Sequence, residues 1–423
     1  MKKSQAENQV KFPIGVKLAI IIGFIVLSSL GTVTFLNSYF VSKDVRITAE
    51  ENNLTINTRS ASAVQSELSS IRANVLQLLD LINATSGNRT QAVARQAGAF
   101  FFERNQKIAE IIVLTQYQFT HNLVIHNRLK NTRFFTSNEI DADLTDTFLS
   151  QIEKSLVRSC RGETIAINAS PFFNSEMIAL LLPYRENGLE QCCLILFSLE
   201  DISMILGTGS VNESFMINDS DDILCHPENN RVRSGQSMKN HPLVKLMRES
   251  NQNNEESRQI IYDFVNEKGR NAKYIGAYQK IPMADISIFT SVALDTVLEG
   301  VYTTRKNNLY LMAIVFFISV IFILTFARYA ISRHLRRLTA CAEEIQKGNF
   351  NTALISMLNT NRRDEIGILN KSTKDEQEFL NTFARFTNRG VAKAIARKEI
   401  DFEPHLKDVT IFFSDIRGFT AIS

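Results

Sequence analysis

Two stretches of this 423-residue chain contain no Asp, Glu, Lys, Arg or His: 25 residues from Leu18 to Ser42, and 21 from Asn307 to Ala327. A hydrocarbon core about 30 Å thick is crossed by about 20 apolar residues in a helix, which satisfies every backbone amide where no water can. Both stretches are therefore predicted to span a bilayer. The first is longer than the roughly 7–15-residue apolar core of a cleaved secretory signal, so it reads as a retained anchor. Lys2, Lys3, Lys11 and Lys17 precede the first stretch and Arg328, Arg333, Arg336 and Arg337 follow the second, against Lys43, Arg46, Arg305 and Lys306 on the inner flanks. That two-to-one bias predicts both termini in the cytoplasm. The expected layout is a cytoplasmic N-terminus (1–17), a span (18–42), an extracytoplasmic or periplasmic region (43–306), a second span (307–327) and a cytoplasmic segment from 328. The balance of 47 Lys plus Arg against 44 Asp plus Glu excludes a basic coat for nucleic acid and an acidic disordered chain. No nucleic-acid partner is expected.

The outer region opens with sparse apolar positions from Val45 to Leu79 at spacings of three, four and seven, which predict a long helix without Pro or Gly to stop it. A second helix is expected from Asn83 to about Glu110. Strand-like runs follow: IIVLTQY, HNLVIHN, ETIAINA, MIALLLPYR and CCLILFSL, with a turn cluster from Pro183 to Gly188. The pattern recurs in SFMINDSDDILCHPE, KYIGAYQKI and ISIFTSVAL, the last two meeting at a turn near Pro282.

The segment Gly209-Ser210-Val211-Asn212-Glu213-Ser214-Phe215-Met216-Ile217-Asn218 through His226-Pro227, with His241-Pro242-Leu243-Val244, resembles the membrane-proximal half of a double Cache sensor domain. The resemblance implies an α+β, PAS-like fold with an antiparallel sheet in each of two lobes, distal about 81–205 and proximal about 206–300. It also implies a small-molecule ligand, usually in the distal lobe. The ligand is not identified, since no RxxWY run is present. Tyr117, Tyr184 and Arg185 are pocket candidates or ordinary strand and turn residues. His226 is a candidate for metal ligation or pH sensing, or simply the family's His-Pro turn. Adjacent strand residues Cys192 and Cys193 point to opposite faces, so at most one can meet Cys160; one disulfide or none are both open.

Beyond the second stretch, RRLTACAEEIQKGNF ends at Lys347-Gly348-Asn349, a glycine stop signal, and Asp364-Glu365-Ile366-Gly367 opens another helix with acids at its positive end. Residues 328–380 resemble a HAMP relay module, with Asp364, Glu365 and Gly367 at its corner. The resemblance implies a parallel four-helix bundle from two chains, hence a homodimer. Two features depart from the family pattern. The early proline is absent, with His334 in its vicinity, and core positions counted from Ile366 and Leu369 fall on polar Thr373 and Glu376. A pair of juxtamembrane helices without a switching role is the alternative.

Phe379, Phe383, Phe386, Val391 and Ile395 suggest linker helices over 381–406, and Val409 to Phe413 a strand. Lys407 to Ser423, with Phe413-Ser414-Asp415-Ile416-Arg417-Gly418-Phe419-Thr420, resembles the opening of the ferredoxin-like domain of class III adenylate and guanylate cyclases. By that resemblance Asp415 and the Ile416 backbone carbonyl hold two Mg²⁺ (or Mn²⁺) ions, Gly418, Phe419 and Thr420 face phosphate, and ATP is converted to cAMP and diphosphate, or GTP to its cyclic counterpart. No further catalytic residue of such a site falls within these 17 residues, so this polypeptide alone is expected to be inactive. The other readings are a receptor signalling through a partner without its own enzyme, and a chemotaxis-type transducer. The latter is disfavoured because such chains continue as long heptad helices after the DEIG corner.

Overall fold

The computed structural model describes residues 13–84, 90–116, 123–141, 143–186, 189–207, 211–250, 254–265, 269, 271–350, 353–387, 389–397, 399, 408 and 410–414. The chain divides into two compact units, Leu36–Lys306 and Met1–Phe35 with Asn307–Ser423.

In the Leu36–Lys306 unit, α1 (Ile14–Ala84) contributes its C-terminal part and α2 (Thr90–Arg104) follows. The second helix stops short of the expected Glu110 because β1 (Ile108–Gln116) already begins there. With β2 (Leu123–Lys130) it starts the distal lobe, and α3 (Thr132–Ser137), α4 (Leu144–Gln151) and α5 (Glu153–Cys160) lead to β3 (Ile165–Asn168). After α6 (Ser170–Phe173), β4 (Met177–Glu186) and β5 (Leu189–Ser198) complete an antiparallel sheet of order β2-β1-β5-β4-β3.

The proximal lobe repeats this topology. After α7 (Glu200–Gly207) come β6 (Glu213–Ile217), β7 (Ile223–Cys225), α8 (Asn229–Arg233), α9 (Pro242–Glu249), β8 (Arg258–Val265), β9 (Asn271–Ile281) and β10 (Ile286–Ala293). The sheet order is β7-β6-β10-β9-β8, again antiparallel, so each lobe reads second-first-fifth-fourth-third. The two-sheet expectation agrees with this arrangement.

Alternation of side chains explains the layers. Ile111 and Val113 of β1 with Cys193, Ile195 and Phe197 of β5 join a core shared with Val64, Leu68, Ile71, Val75 and Leu79 of α1. Ile112, Leu114, Cys192, Leu194 and Leu196 face the other way, onto Phe134, Phe148, Leu156 and Phe173 of the covering helices. Strands buried on both sides need no polar alternation, which is why CCLILFSL reads as a continuous apolar run.

Two strand assignments change. Pro183 lies inside β4 rather than ending it, paired with Cys192. The β3 pairing stops at Ile165–Leu181, so a missing N–H beyond that point faces an open edge and costs no ladder bond. Strand β8, RQIIYDFV, was not anticipated; it is an edge strand, half-buried, opened by Arg258 and interrupted by Asp263.

In the other unit, the beginning of α1 packs against α10 (Leu294–Phe326), and both helices are long and apolar enough to cross a membrane. A Cβ on Gly15 would lie 3.1 Å from that of Ala327, so the glycine permits the approach. A π-helical turn, Ala327–Ser332, joins α10 to α11 (Arg333–Gln346) near the place of the missing proline. Helix α11 ends in a Schellman motif: Asn349 N–H donates to Glu344 O at 2.9 Å, Gly348 N–H to Ile345 O at 2.9 Å, and Gly348 takes φ +78°. Leu338 and Cys341 pack on Ile355 and Leu358 of the connector.

Helix α12 (Glu365–Phe386) is followed by α13 (Arg389–Ala396). Asp364 caps α12, accepting from Gly367 N–H at 3.0 Å, while Arg362 forks onto its carboxylate and holds it down to about 2. A Cβ on Gly367 would lie 2.2 Å from Arg362 O, so the corner requires glycine. The buried seam of α12 runs through Ile366, Asn370, Thr373, Gln377, Leu380 and Ala384, whereas Leu369 and Glu376, expected inside, are exposed. The seam is polar because it serves the connector: Asn370 donates to Asn359 O at 2.8 Å, and Gln377 donates to Phe350 O.

No strand forms among the described residues of 408–414, where Ile411, Phe412 and Phe413 stand exposed without a ladder partner. A strand needs a neighbour to take its backbone bonds.

Candidate functional site

The sheet of the proximal lobe has two different faces. Toward α1 it presents Ser214, Ala277 and Thr290, and the fully buried Asn57 of α1 donates to Ala277 O at 3.3 Å, Ile288 O at 3.1 Å and Thr290 Oγ1 at 3.2 Å. Asn53, one turn earlier, donates to Thr290 O at 3.3 Å. The opposite face lines a cavity of about 470 Å³ with Glu213 and Phe215 from β6, Tyr262 and Phe264 from β8, Tyr274 from β9 and Ser291 from β10. His226, Glu228, Arg231, Met238 and His241, from β7 to the start of α9, close it over.

Aromatic rings form most of the wall. Phe215 stacks on Phe289 at 4.9 Å, Tyr262 stacks on Tyr274 at 5.7 Å, and the His241 ring packs within 5.0–5.9 Å of Phe215, Tyr262 and Phe264. Gly276 makes room for this, because a Cβ there would lie 2.8 Å from both the Tyr262 ring and Leu243.

Both histidines are neutral at pH 7. Burial, with Arg231 nearby, pushes His226 and His241 down to about 4. His226 Nδ1 accepts from Glu228 N–H at 3.0 Å, which leaves the proton on Nε2, 3.3 Å from Glu213 Oε1. Two of the residues lining this cavity carry a buried atom with no hydrogen-bond partner: His241 at Nδ1 and Tyr262 at its hydroxyl. Burial drives the Tyr262 hydroxyl further from ionisation. Unsatisfied buried polar atoms cost about 1–3 kcal/mol each, and here both belong to residues lining one cavity, where a ligand can satisfy them.

The distal lobe offers a different picture. A groove of about 810 Å³ runs past Phe102, Lys107, Asn131, Arg133 and Asp201, but Lys107 is engaged by Glu67 and by Asp201 at 2.9 Å. The fully buried Glu110 pairs with Arg128 at 2.6 Å, and Arg128 with Asp146 at 2.7 Å. Glu110 Oε2, Thr145 Oγ1, Ser159 Oγ and Gln191 Oε1 also lack partners, yet none of them lines either cavity. Of these two cavities, the one whose lining residues carry unpaired buried polar atoms is in the proximal lobe, whereas the Cache resemblance implies a ligand usually held in the distal one.

The sequence-derived candidates are dispersed. Tyr184 is buried against α1, its hydroxyl accepting from Asn83 Nδ2 at 2.6 Å, and Arg185 is exposed on the β4–β5 hairpin. Neither lines the two cavities. Tyr117, Asp415, Ile416, Gly418, Phe419 and Thr420 lie outside the described residues. Asp364, Glu365 and Gly367 form the α12 cap. His226 does face a cavity, although as a neutral hydrogen-bonded side chain, and no group of three His, Cys, Asp or Glu suited to a metal ion occurs among the described residues. The five cysteines are free; Cys192 packs in the same core as Cys160, and Cys193 faces the opposite core. Tyr262, Phe264 and Tyr274 were missed. The period-two pattern Ile260, Tyr262, Phe264 is the signal that could have found the first two.

No family profile matches this chain, and no curated protein matches it. Solved structures similar to it include the extracellular domain of soHK1S-Z6, assigned as a histidine kinase, at 17% identity and a TM-score of 0.43 over 61% of this chain and 98% of that one. The ligand-binding domain of the Pseudomonas aeruginosa PAO1 amino acid chemoreceptor PctC in complex with GABA is 16% identical, with a TM-score of 0.35 over 58% and 99%. The sensory domain of the Campylobacter jejuni chemoreceptor Tlp3 with isoleucine bound is 10% identical, with a TM-score of 0.38 over 61% and 98%. At such identities no residue role passes from these proteins to this chain.

Proposed function

We propose that this chain is a two-span membrane receptor that binds a small molecule in the proximal cavity outside the membrane and signals to the cytoplasm. The observation that carries it is connectivity. Ser291 lines the cavity from β10, and β10 passes directly into α10 at Leu294, the helix holding the second apolar stretch. On its other face the same sheet is hydrogen-bonded to Asn57 of α1, the helix holding the first. A ligand that shifts this sheet acts on both helices, and its effect is bounded by its differential affinity for the two arrangements.

The receptor works as a homodimer with a HAMP-type relay. Phe379, Phe383 and Phe386 of α12 are exposed at spacings of four and three, a coiled-coil seam without a partner in the described chain. The output is a class III cyclase, a reading that rests on the Phe413-to-Thr420 motif alone. Carboxylate and carbonyl oxygens suit hard divalent ions, so Asp415 and the Ile416 carbonyl would hold Mg²⁺ or Mn²⁺, which neutralises triphosphate charge; Gly418, Phe419 and Thr420 would face the phosphates of ATP or GTP.

Topology is tested by cysteine labelling in intact cells. Lys154→Cys is expected to react from outside and Lys371→Cys only after permeabilisation; the reverse pattern overturns the receptor assignment. The output is tested by assaying cyclic nucleotide formation in membranes carrying the natural gene product, with Asp415→Asn abolishing it. Absence of product in the unsubstituted protein removes the cyclase and leaves the receptor standing.

A further inference from the structure

We propose that the proximal cavity recognises a small primary ammonium ion attached to an apolar group. This deepens, and rests on, the receptor assignment above. Charge selects the class. Of the lining residues, Glu213 and Glu228 carry carboxylates and Arg231 a guanidinium, while both imidazoles are neutral near pH 7. Arg231 is ion-paired with Glu228 at 2.8 Å, so the lining charges sum to minus one and favour a cation over an anion. Glu213 and Glu228 are 48% and 51% exposed, which puts the carboxylates at the mouth, where an entering ammonium meets them first.

The interior selects within that class. The faces of Phe215, Tyr262, Phe264 and Tyr274 accommodate both an apolar body and a cation, the latter through the ring quadrupole. His241 Nδ1 and the Tyr262 oxygen are buried without a partner, and each can accept an N–H. Glu213 Oε1 lies 3.3 Å from His226 Nε2, so its charge stands beside the ring wall of the cavity. A primary ammonium brings N–H donors to these two buried acceptors and a positive charge toward the carboxylates at the mouth. A quaternary ammonium brings none and leaves the buried atoms unsatisfied, and a carboxylate would face Glu213 and Glu228. The volume, about 470 Å³, lies within the range of small-ligand sites.

The test is calorimetric titration of the full chain in lipid nanodiscs at pH 7 with phenethylamine, isobutylamine, tetramethylammonium and phenylacetate. At least one of the two primary amines is expected to bind with Kd below about 1 mM, with tetramethylammonium at least about tenfold weaker and phenylacetate showing no heat. Glu213→Gln, at a half-exposed position, should weaken amine binding about tenfold or more, and Tyr262→Phe about three- to tenfold. Thermal unfolding of each variant without ligand checks that it is folded. Amine binding unchanged by both substitutions puts the amine elsewhere and overturns the proposal, as does binding of neither amine. If phenylacetate binds instead and Ser291→Phe blocks it, the ammonium class is wrong while the cavity remains the receptor's site. If the labelling test fails while amine binding depends on Glu213, the ligand assignment holds and the receptor topology falls.

Discussion

His226 and His241 make the proximal lobe acid-sensitive. In the unfolded chain each imidazole takes up a proton near pH 6.5; in the folded lobe each does so only near 4, although the Glu228 carboxylate works against part of that shift at His226. Between those values the unfolded state binds more protons, so stability rises with pH. The contribution is fully present above about 6.5 and is lost as pH falls toward 4, the loss reaching about 2 kcal/mol for each histidine at pH 5. Calorimetry of the full chain is expected to show the Leu36–Lys306 unit melting at lower temperature at pH 5 than at pH 7; equal melting temperatures would show that these imidazoles are not buried in the neutral form.

At the level of elements, buried asparagines tie α1 to the proximal sheet. Asn57 donates to two strand carbonyls and the Thr290 hydroxyl, and its own oxygen accepts from Ser257 at 2.7 Å. Asn53 accepts from Asn212 at 3.0 Å. Such a join depends on register, because sliding α1 by one residue would turn these amides off the sheet. Replacing Asn57 with Leu keeps the bulk and strands several polar partners, at a cost of about 2–4 kcal/mol. Denaturant unfolding of Asn57→Leu, compared with Asn57→Gln and the parent, measures that loss; a change below about 0.5 kcal/mol would mean that water replaces the amide.

For the whole molecule, the homodimer proposal places the α12 phenylalanines of two copies in parallel. Phe383→Cys, at a partly exposed position, is expected to give a disulfide-linked dimer in membranes under mild copper-catalysed oxidation. Ile395→Cys serves for comparison, and a purely monomeric band for both would count against the dimer. The five native cysteines are buried and compete little.

What was legible in the amino-acid order is what short-range physics controls. Uncharged runs mark helices fit for a bilayer, the Gly348 stop needs positive φ, and the Asp364 cap with Gly367 needs a side chain that accepts and a neighbour without one. Each depends on residues within one or two turns. The strand runs of both lobes were legible for the same reason, with Pro183 misplaced and β8 missed because edge position, a tertiary property, decides what a strand tolerates. The seam of α12 was misassigned at Leu369 because the connector's carbonyls, not apolar surface, are what Asn370 and Gln377 meet. The proximal cavity was least legible. Its lining is spread from Glu213 to Ser291 and converges only when four strands pair in register, and the unpaired state of His241 Nδ1 and the Tyr262 hydroxyl is created by burial. The sequence by itself determined the two apolar helices long enough to cross a membrane, the Gly348 stop and the Asp364 cap, through local charge and backbone geometry; only the tertiary structure decided which polar groups lose water together, because desolvation belongs to the packed assembly and not to any one residue.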